Sequence, residues 1–491
     1  VDTDVLIVGA GPVGLLLANE CARRGLRWRL IETHSSQSVH SKALAIFPRT
    51  LEIFDMAGVV GPFLEAANRV TSVSVMSHAR TLARMRFAPE DSPYSFIAMV
   101  AQNVTEGLLV EQLLHKGGKV EYGTTFLSAD QQNDGVTVTL DQQGRPATLR
   151  ASFVVGCDGA HSAVRHVLNI PLEGGEYAPT FLLADIETNE MPADVLQLCP
   201  SEFGPVAIFP MGATRQRVVA TIEQAEGEAP TLDLVRKILA QRAPRGIEAC
   251  SLHWSSYFHV HHRHAARLRV DRIFIAGDAA HIHSPFGGQG MNTGLHDVWN
   301  LVWKLDLFLN GHGNDQLLDS YTAERIPIVK NVIETTDLLT RVMGTPNKFA
   351  QTLRDTVIPM VSRLAPFQHA FVQRLSELGI AYRGSPIVEG PGKRYFDDSL
   401  RGGKGIVNRF LVLIGDDEDV STLEAAKKLC ESSKDTAELR TSPKPGIKLV
   451  RPDGYIAYSA RDGEGLASLS AARSILERQT HSARSVSTAR P

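Results

Sequence analysis

Cysteine is scarce in this chain, and none is paired in sequence. The five (Cys21, Cys157, Cys199, Cys250 and Cys430) are scattered over 491 residues, with no C-x-x-C. That spacing excludes a dense disulfide framework and reads as reduced thiols of a cytoplasmic protein. It also lacks the clustered ligands of a structural zinc site. No apolar run reaches the ~18 residues that a membrane span requires. The most apolar N-terminal stretch, Val5 to Leu17, has no basic leader and carries glycines at fixed spacing. It reads as strand, turn and helix, not as a targeting segment. Neither sign of charge dominates: 51 Lys and Arg stand against 54 Asp and Glu. Such a balance gives no electrostatic footprint for nucleic acid and no charged block of the disordered kind.

What is present is ordinary globular composition, 43% hydrophobic and 21% charged. The length predicts roughly two to four domains of ~100–200 residues. Asp4 to Val8 is a short apolar run of the kind found in buried parallel strands. A glycine-rich turn follows, then a helix from Val13 to about Arg24 stopped by Gly25. Arg27 to Ile31 reads as the next strand and completes a βαβ opening. Alternating, strand-like character recurs over 70–87, 119–155, 204–211 and 216–223, and Val104 to Lys116 reads as helix. Arg272 to Ala276 is another short strand. An amphipathic helix is predicted over Met291 to Asn310, with Leu295, Val298, Trp299, Val302 and Leu305 on its apolar face. The pattern is mostly helical from Ile328 to about Leu378, and Gly384 to Gly405 reads as a linker. Beyond it the sequence predicts a strand over 409–414 and a helix over 422–432. A hairpin turning at Pro452-Asp453-Gly454 and a last helix over 465–478 follow, then a disordered tail from 479.

Three motifs carry chemistry. The first is Gly9-Ala10-Gly11-Pro12-Val13-Gly14 directly after a strand. Gly9 allows the tight turn, Gly11 lets the backbone approach a pyrophosphate, and Gly14 lets helix pack on sheet. The helix N-terminus adds unpaired N–H groups and a positive dipole end. Glu32, at the end of the second strand, is placed to accept from ribose hydroxyls. The second motif, Val154 to Arg165 around Asp158 and Gly159, also reads as a plain strand end with an Asp-Gly turn capping a helix through Ser162. The third pairs Gly277-Asp278, at a strand end, with the glycine-rich loop Pro285-Phe286-Gly287-Gly288-Gln289-Gly290 leading into Met291 and Asn292. An aspartate there reaches a polyol, and loop N–H groups face an electron-rich ring edge.

In this order and at these separations the motifs resemble the class A flavoprotein monooxygenases, in the phenol hydroxylase and aromatic polyketide hydroxylase branch. The resemblance covers nearly the whole chain. It implies an α/β fold: a Rossmann-like FAD-binding domain, an inserted β-sheet substrate domain and a C-terminal thioredoxin-like domain. The FAD-binding parts would be 1–70, 101–170 and 268–340. The substrate sheet would be 71–100 and 171–267, followed by a helical segment and linker over 341–390 and the thioredoxin-like unit over 391–478. It further implies non-covalent FAD held by Gly9, Gly11, Pro12, Val13, Gly14 and Glu32. Lys42 and Arg49 would lie near the flavin and its phosphates, Gln102 against the flavin, and Asp158 and Gly159 by both FAD and NADPH. Gly277 and Asp278 would bind the ribityl chain. Pro285, Gly287, Gly288, Gln289, Gly290, Met291 and Asn292 would lie beside the isoalloxazine ring, with Pro285 and Gly288 the nearest to catalytic candidates. The helix pattern Asp319, Tyr321, Glu324, Arg325 and Pro327 would be structural.

The activity so implied is NADPH- and O2-dependent hydroxylation of a phenolic or polyketide-like aromatic through a flavin C4a-hydroperoxide. Epoxidation, Baeyer–Villiger insertion, or a flavin dehydrogenase or oxidase on the same fold stay open. No second G-x-G-x-x-G is present, so NADPH would visit transiently. Phe96, Ile208, Phe209 and Met211 are candidates for the substrate wall, with ordinary core as the equal alternative. Thr33 stands after Glu32 where the family commonly has arginine, and Cys430 alone leaves the last unit without dithiol chemistry. His259, His261, His262 and His264 form a dense cluster in which no nearby carboxylate completes a metal set. A homodimer through the C-terminal region is an option left open.

Overall fold

The first strand, Thr3–Val8, is buried at Val5, Leu6 and Ile7 and lies at the centre of an eight-stranded sheet. This computed structural model describes residues 1–480 apart from 39–40, 78–79, 177–179, 226, 260, 285–286, 345–346 and 461–464, and it leaves the side chains of 348–350 aside. The strand pairs in parallel with Arg145–Gly156 on one side and Trp28–Glu32 on the other. Ile273–Ile275 extends the parallel run beyond Arg145–Gly156. The register sets Val8 beside Ile31 and Gly156, and Gly156 beside Ile275. The chain therefore leaves four adjacent strands at one level, with Gly9, Glu32, Cys157 and Ala276 next in line. The crevice outside the carboxyl ends of parallel strands is where such sheets bind ligands.

Two helices cover one face of this sheet. Pro12–Arg23 starts with proline at its first position, where a missing N–H costs nothing. It crosses Gly290–Leu309 closely, because a Cβ on Gly294 would sit 2.7 Å from Val13 Cγ2. That second helix is buried almost all round from Met291 to Leu307. The sequence's single apolar face underestimates it; the polar positions are internal too.

The inserted sheet has seven strands: Ala249–Phe258, Thr180–Thr188, Arg215–Ile222, Val206–Pro210, Val195–Cys199, Ser72–Ser77 and Arg80–Arg86, in that spatial order. One face packs Leu182, Ile208 and Val218 on the Leu232–Arg242 helix. The other turns Val73, Leu196, Leu198 and Phe209 inward, toward Phe47 and Met99. Strand alternation alone separates Ile208 from Phe209. A small sheet of Ala45–Ile46, Ile97–Met99 and Asn68–Val70 joins the two units.

Helix Asp315–Met343 starts upstream of the predicted position and runs through Pro327. Proline removes one backbone hydrogen bond. The preceding turn is held elsewhere, by Glu324 and Arg325 in buried ion pairs, so packing overrides the breaker. Helices Lys348–Val361 and Ala365–Leu375 follow. The Gly- and Pro-rich stretch after them is docked instead of serving as a free linker. Arg401 Nε donates to Asp55 at 2.9 Å, and Gly402 N donates to the same carboxylate at 2.7 Å. Gly403 and Gly58, both at positive φ, approach so closely that a Cβ on either would meet the other's Cα.

The last unit is a thioredoxin-like four-stranded sheet. Phe410–Gly415 pairs in parallel with Ala437–Ser442 and antiparallel with Ile447–Val450, which pairs with Ile456–Ser459. The Ala437–Ser442 strand is not read from the sequence, because Glu438, Arg440 and Thr441 break its apolar pattern. The predicted turn at Asp453 inserts into the first domain. Asp453 O accepts from Trp299 Nε1 at 3.0 Å and from Arg49 Nη2 at 3.1 Å. Arg451 pairs with Glu324 at 2.5 Å and with Asp453, all fully buried. Lys304 completes the cluster at 2.8 Å from Glu324.

Candidate flavin and substrate site

The three motif loops converge where the register puts them. Gly9 lies at φ 101°, and a Cβ there would sit 2.5 Å from Cys157 O. A Cβ on Gly14 would sit 2.0 Å from Gly9 O. A Cβ on Gly11 or on Gly159 would meet nothing within 4 Å. Gly9 and Gly14 are therefore required by packing, whereas Gly11 and Gly159 border open space. Pro12 is buried and Val13 half-buried, wedged against Gly277 and Gly294.

Glu32 accepts from Ala10 N at 2.9 Å and from His34 N at 3.0 Å. Burial opposes its charge, but the hydrogen bonds from His34 and Ala10 win and hold its pKa below the ordinary carboxylate value. The helix is capped through Ser162, as in the plain reading, and Asp158 holds that cap. Its oxygens accept from Ser162 Oγ at 2.5 Å and Val164 N at 3.2 Å, while Ser162 caps Arg165 N at 2.9 Å. Burial nevertheless raises the Asp158 pKa. Arg165 then reaches across to Ala279 O at 3.0 Å, tying the second loop to the third.

Asp278 is open to the cleft yet ringed by protein, and that surrounding raises its pKa while His281 and Lys42 work against the rise. Lys42 is exposed. Its backbone is fixed: Lys42 O and Ala43 O accept from Arg217 Nη1 at 3.0 and 3.1 Å. Arg217 is itself held by Asp185 at 2.7 and 2.9 Å. Gln102 pins the same segment, accepting from Ala43 N at 3.1 Å and donating to Glu106 at 3.0 Å.

The support under Gly277 is a buried ion network. Asp297 accepts from Gly277 N at 3.0 Å, His281 Nε2 at 2.7 Å and Arg325 Nε at 2.7 Å. Burial pushes its pKa up, but His281 and Arg325 pull it down to about 2. Gly288 lies at φ 63° against Ala45 and Phe47, and Gln289 is buried. Helix Gly290–Leu309 begins there with no side-chain cap, so its first N–H groups are free for an electron-rich ligand. Met291 is buried. Pro285 lies outside the described residues.

Two predicted cofactor contacts are committed to the protein instead. Arg49 is fully buried between Glu52 at 3.0 Å and Asp453 O, against the Tyr455 ring. Asn292 spends its whole amide on Phe47 N, Thr50, Ala45 O and Gly288 O. Its side chain sets the loop's position and leaves no amide atom for a ligand.

An apolar cavity of about 50 Å³ opens beside the loop. Ala45, Phe47 and Gly287 wall it on the first domain's side, Leu198 and Phe209 on the sheet, and Phe371 on the helix Ala365–Leu375. Phe209 is therefore a wall residue. Ile208 is core of the opposite face. Phe96 packs with the first domain's core under Arg69, away from the cavity lining, and Met211 only flanks the Phe209 cluster. In the histidine cluster Glu176 lies 3.9 Å from His259 and 3.8 Å from His261, a carboxylate the sequence did not place there. Even so, no metal-binding group of three such side chains occurs among the described residues.

Asp297, Arg217 and Asp185 were not picked out from the sequence. Arg217 had a faint signal, a charge directly before the apolar run Val218-Val219-Ala220. Asp297 had a weaker one, an acid between helical core positions Leu295 and Val298.

This geometry fits FAD: open space at Gly11, an acid ending the second strand, a carboxylate in the cleft and an uncapped helix N-terminus. A family model described as FAD binding domain matches residues 2–336. The chain belongs to that family. A rifampicin monooxygenase of Streptomyces venezuelae is 30% identical over 479 residues, covering 94% of this chain and 97% of the relative. A 6-methylpretetramide 4-monooxygenase of Streptomyces rimosus is 34% identical over 400 residues, 79% of this chain and 71% of the relative. The solved anhydrotetracycline hydroxylase from Streptomyces rimosus superposes with a TM-score of 0.78 at 29% identity, over 97% of this chain and 99% of that one. The chain is an FAD-dependent class A flavoprotein monooxygenase of the aromatic hydroxylase branch. No helix among the described residues is long and apolar enough to cross a membrane.

Proposed function

We propose that this monooxygenase hydroxylates a polycyclic, phenol-bearing aromatic, using NADPH and O2. The observation that carries the reading is the apolar cavity directly beside the Gly287–Gly290 loop. Its walls are aliphatic and aromatic, which suits flat rings and keeps water out. Relatives named as monooxygenases of 6-methylpretetramide and of rifampicin point the same way.

When bound, FAD supplies the redox chemistry, taking hydride and activating oxygen. The chain supplies position and field. The residues to hold it are Gly9, Gly11 and the Pro12–Arg23 N-terminus at the pyrophosphate, Glu32 at the adenosine ribose and Asp278 at the ribityl chain. The Gly290–Leu309 N-terminus would offer its uncapped N–H groups and positive dipole end to an electron-rich edge of the flavin. Phe209, Phe371 and Leu198 orient the substrate ring and exclude solvent. The described cavity wall contains no acid–base pair, and the reading asks for none.

The test is a screen of phenols and polycyclic aromatics for stimulated NADPH oxidation, followed by mass spectrometry under ¹⁸O2. The reading expects a product carrying one labelled oxygen. Turnover without label would make the protein a dehydrogenase or oxidase on the same fold. A labelled lactone or epoxide would redirect the oxygen transfer.

A further inference from the structure

Glu377 follows directly on the helix whose Phe371 and Leu375 wall the cavity. It is 3% exposed, and neither carboxylate oxygen accepts a hydrogen bond. Its backbone sits at φ 61°, a left-handed conformation that favours glycine or asparagine at a helix end. His296 Nε2 lies 3.5 Å from one of its carboxylate oxygens.

The cations around it are already spent. Arg325, on the neighbouring long helix, is bound to Asp297, Thr293 O and the Tyr382 hydroxyl. Arg49, on helix Pro48–Ala57, is bound to Glu52 and Asp453 O. Asp297, beside His296 on its own helix, is taken by Arg325, His281 and Gly277. An isolated carboxylate in such surroundings takes up a proton. Burial pushes Glu377 up to about 8, with Arg325 opposing. His296 is pushed far the other way, by burial and then by Arg325 and Arg49, so it is neutral.

The hydrogen bonds beyond His296 have only one consistent direction. Asn292 Oδ1 accepts from the Phe47 N–H at 3.1 Å, and its Nδ2 donates to Ala45 O at 2.9 Å and Gly288 O at 3.2 Å. That fixes the amide orientation. Thr50 must then donate its one proton to Asn292 Oδ1, at 2.8 Å. Its oxygen, 3.0 Å from His296 Nε2, must accept. His296 therefore carries its proton on Nε2, the nitrogen facing Glu377, and its buried Nδ1 is bare.

We propose that Glu377, a buried carboxyl with no hydrogen-bond partner, is a positioning residue for the Gly287–Gly290 loop, acting through a one-way hydrogen-bond chain of His296, Thr50 and Asn292 that ends on Gly288. When Glu377 loses its proton, the new charge pulls on His296 Nε2–H. Each bond in the chain polarises the next, so the loop's field on the flavin changes with the charge of a residue behind the substrate wall. The inference rests on the proposed placement of the flavin beside Gly287–Gly290.

Two readouts on the full-length protein, in wild type, E377Q and T50V, test it. The first is an infrared difference spectrum of wild type against E377Q at about pH 6, below the Glu377 transition. A protonated-carboxyl band absent from E377Q and kept by T50V is expected. The second is the visible absorbance of bound FAD followed across the neutral to alkaline range. Wild type should shift with a midpoint at about 8, and both variants should lose that shift. T50V carries the test should E377Q fold poorly. No carboxyl band, or one flavin titration common to all three, overturns the proposal. A carboxyl band in a chain that cannot take up FAD overturns the flavin placement, and the link to the loop with it.

Discussion

Asp297 accepts the Gly277 backbone N–H at 3.0 Å, so the loop that carries Asp278 is hung from a buried carboxylate one helix away. The other Asp297 oxygen is held by Arg325 at 2.7 Å. Replacing Asp297 with alanine strands a guanidinium and an imidazole in the core, at a cost of about 3–5 kcal/mol. D297N keeps the volume and loses the charge. Both variants should release FAD more readily than wild type, and D297A should melt at a lower temperature. Thermal unfolding and the flavin-to-protein absorbance ratio check this.

Acid should unfold the protein in two identifiable stages. His283 is half-buried, and its surroundings hold it neutral at about 4, against about 6.5 in an unfolded chain. Its folded value is depressed, so its contribution is present above about 6.5 and is lost as pH falls toward 4. Asp297 is held at about 2, against about 3.9 unfolded. Its contribution is present above the unfolded value and lost as pH falls toward 2. Denaturant midpoints measured against pH should decline through both windows. In D297N the lower decline should shrink and the upper one persist.

The glycines of the first turn should separate folding from cofactor binding. In G14A the new methyl meets Gly9 O at 2.0 Å, so the strand–helix junction must open and the chain should be strongly destabilised. In G11A the methyl enters empty space. That variant should unfold like wild type and lose FAD affinity, because the proposed site gives that space to the pyrophosphate. Equal FAD affinity in G11A and wild type, measured by fluorescence titration of the apoprotein, would put the phosphates elsewhere.

Neighbouring side chains on one strand should split in the same way. I208A removes core on the outer face and should cost about 2–5 kcal/mol of stability with KM unchanged. F209A enlarges the cavity wall and should raise KM or shift substrate preference. Steady-state kinetics on any accepted aromatic, with urea unfolding of both variants, decides it.

R451A should disturb the joint between the first domain and the C-terminal unit. Glu324 would lose its closest cation in a fully buried site, a loss of about 3–5 kcal/mol. Protease sensitivity of residues beyond 391 should rise before global unfolding does.

The cofactor-binding half of this molecule was legible in the sequence because its determinants are local. The Gly9–Gly14 turn, the acid at Glu32 and the Gly277-Asp278 strand end each announce themselves within a few residues. Long-range contacts did not. Asn292 and Arg49 carry the right chemistry for a ligand, and only the fold shows Phe47, Thr50, Glu52 and Asp453 claiming them first. Ile208 and Phe209 are equally apolar in sequence, and pleat direction decides between core and wall. The stretch 384–405 looks like a linker by composition, yet Asp55 ties it down from far away in the chain.

The central claim is that loops from adjacent parallel strands close around one flavin. The direct measurement is the FAD released on denaturing the purified protein, or taken up by its apoprotein, quantified against chain concentration. The account predicts about one non-covalent FAD per chain, as in other single-crevice dinucleotide folds. A colourless protein that FAD cannot restore would contradict it.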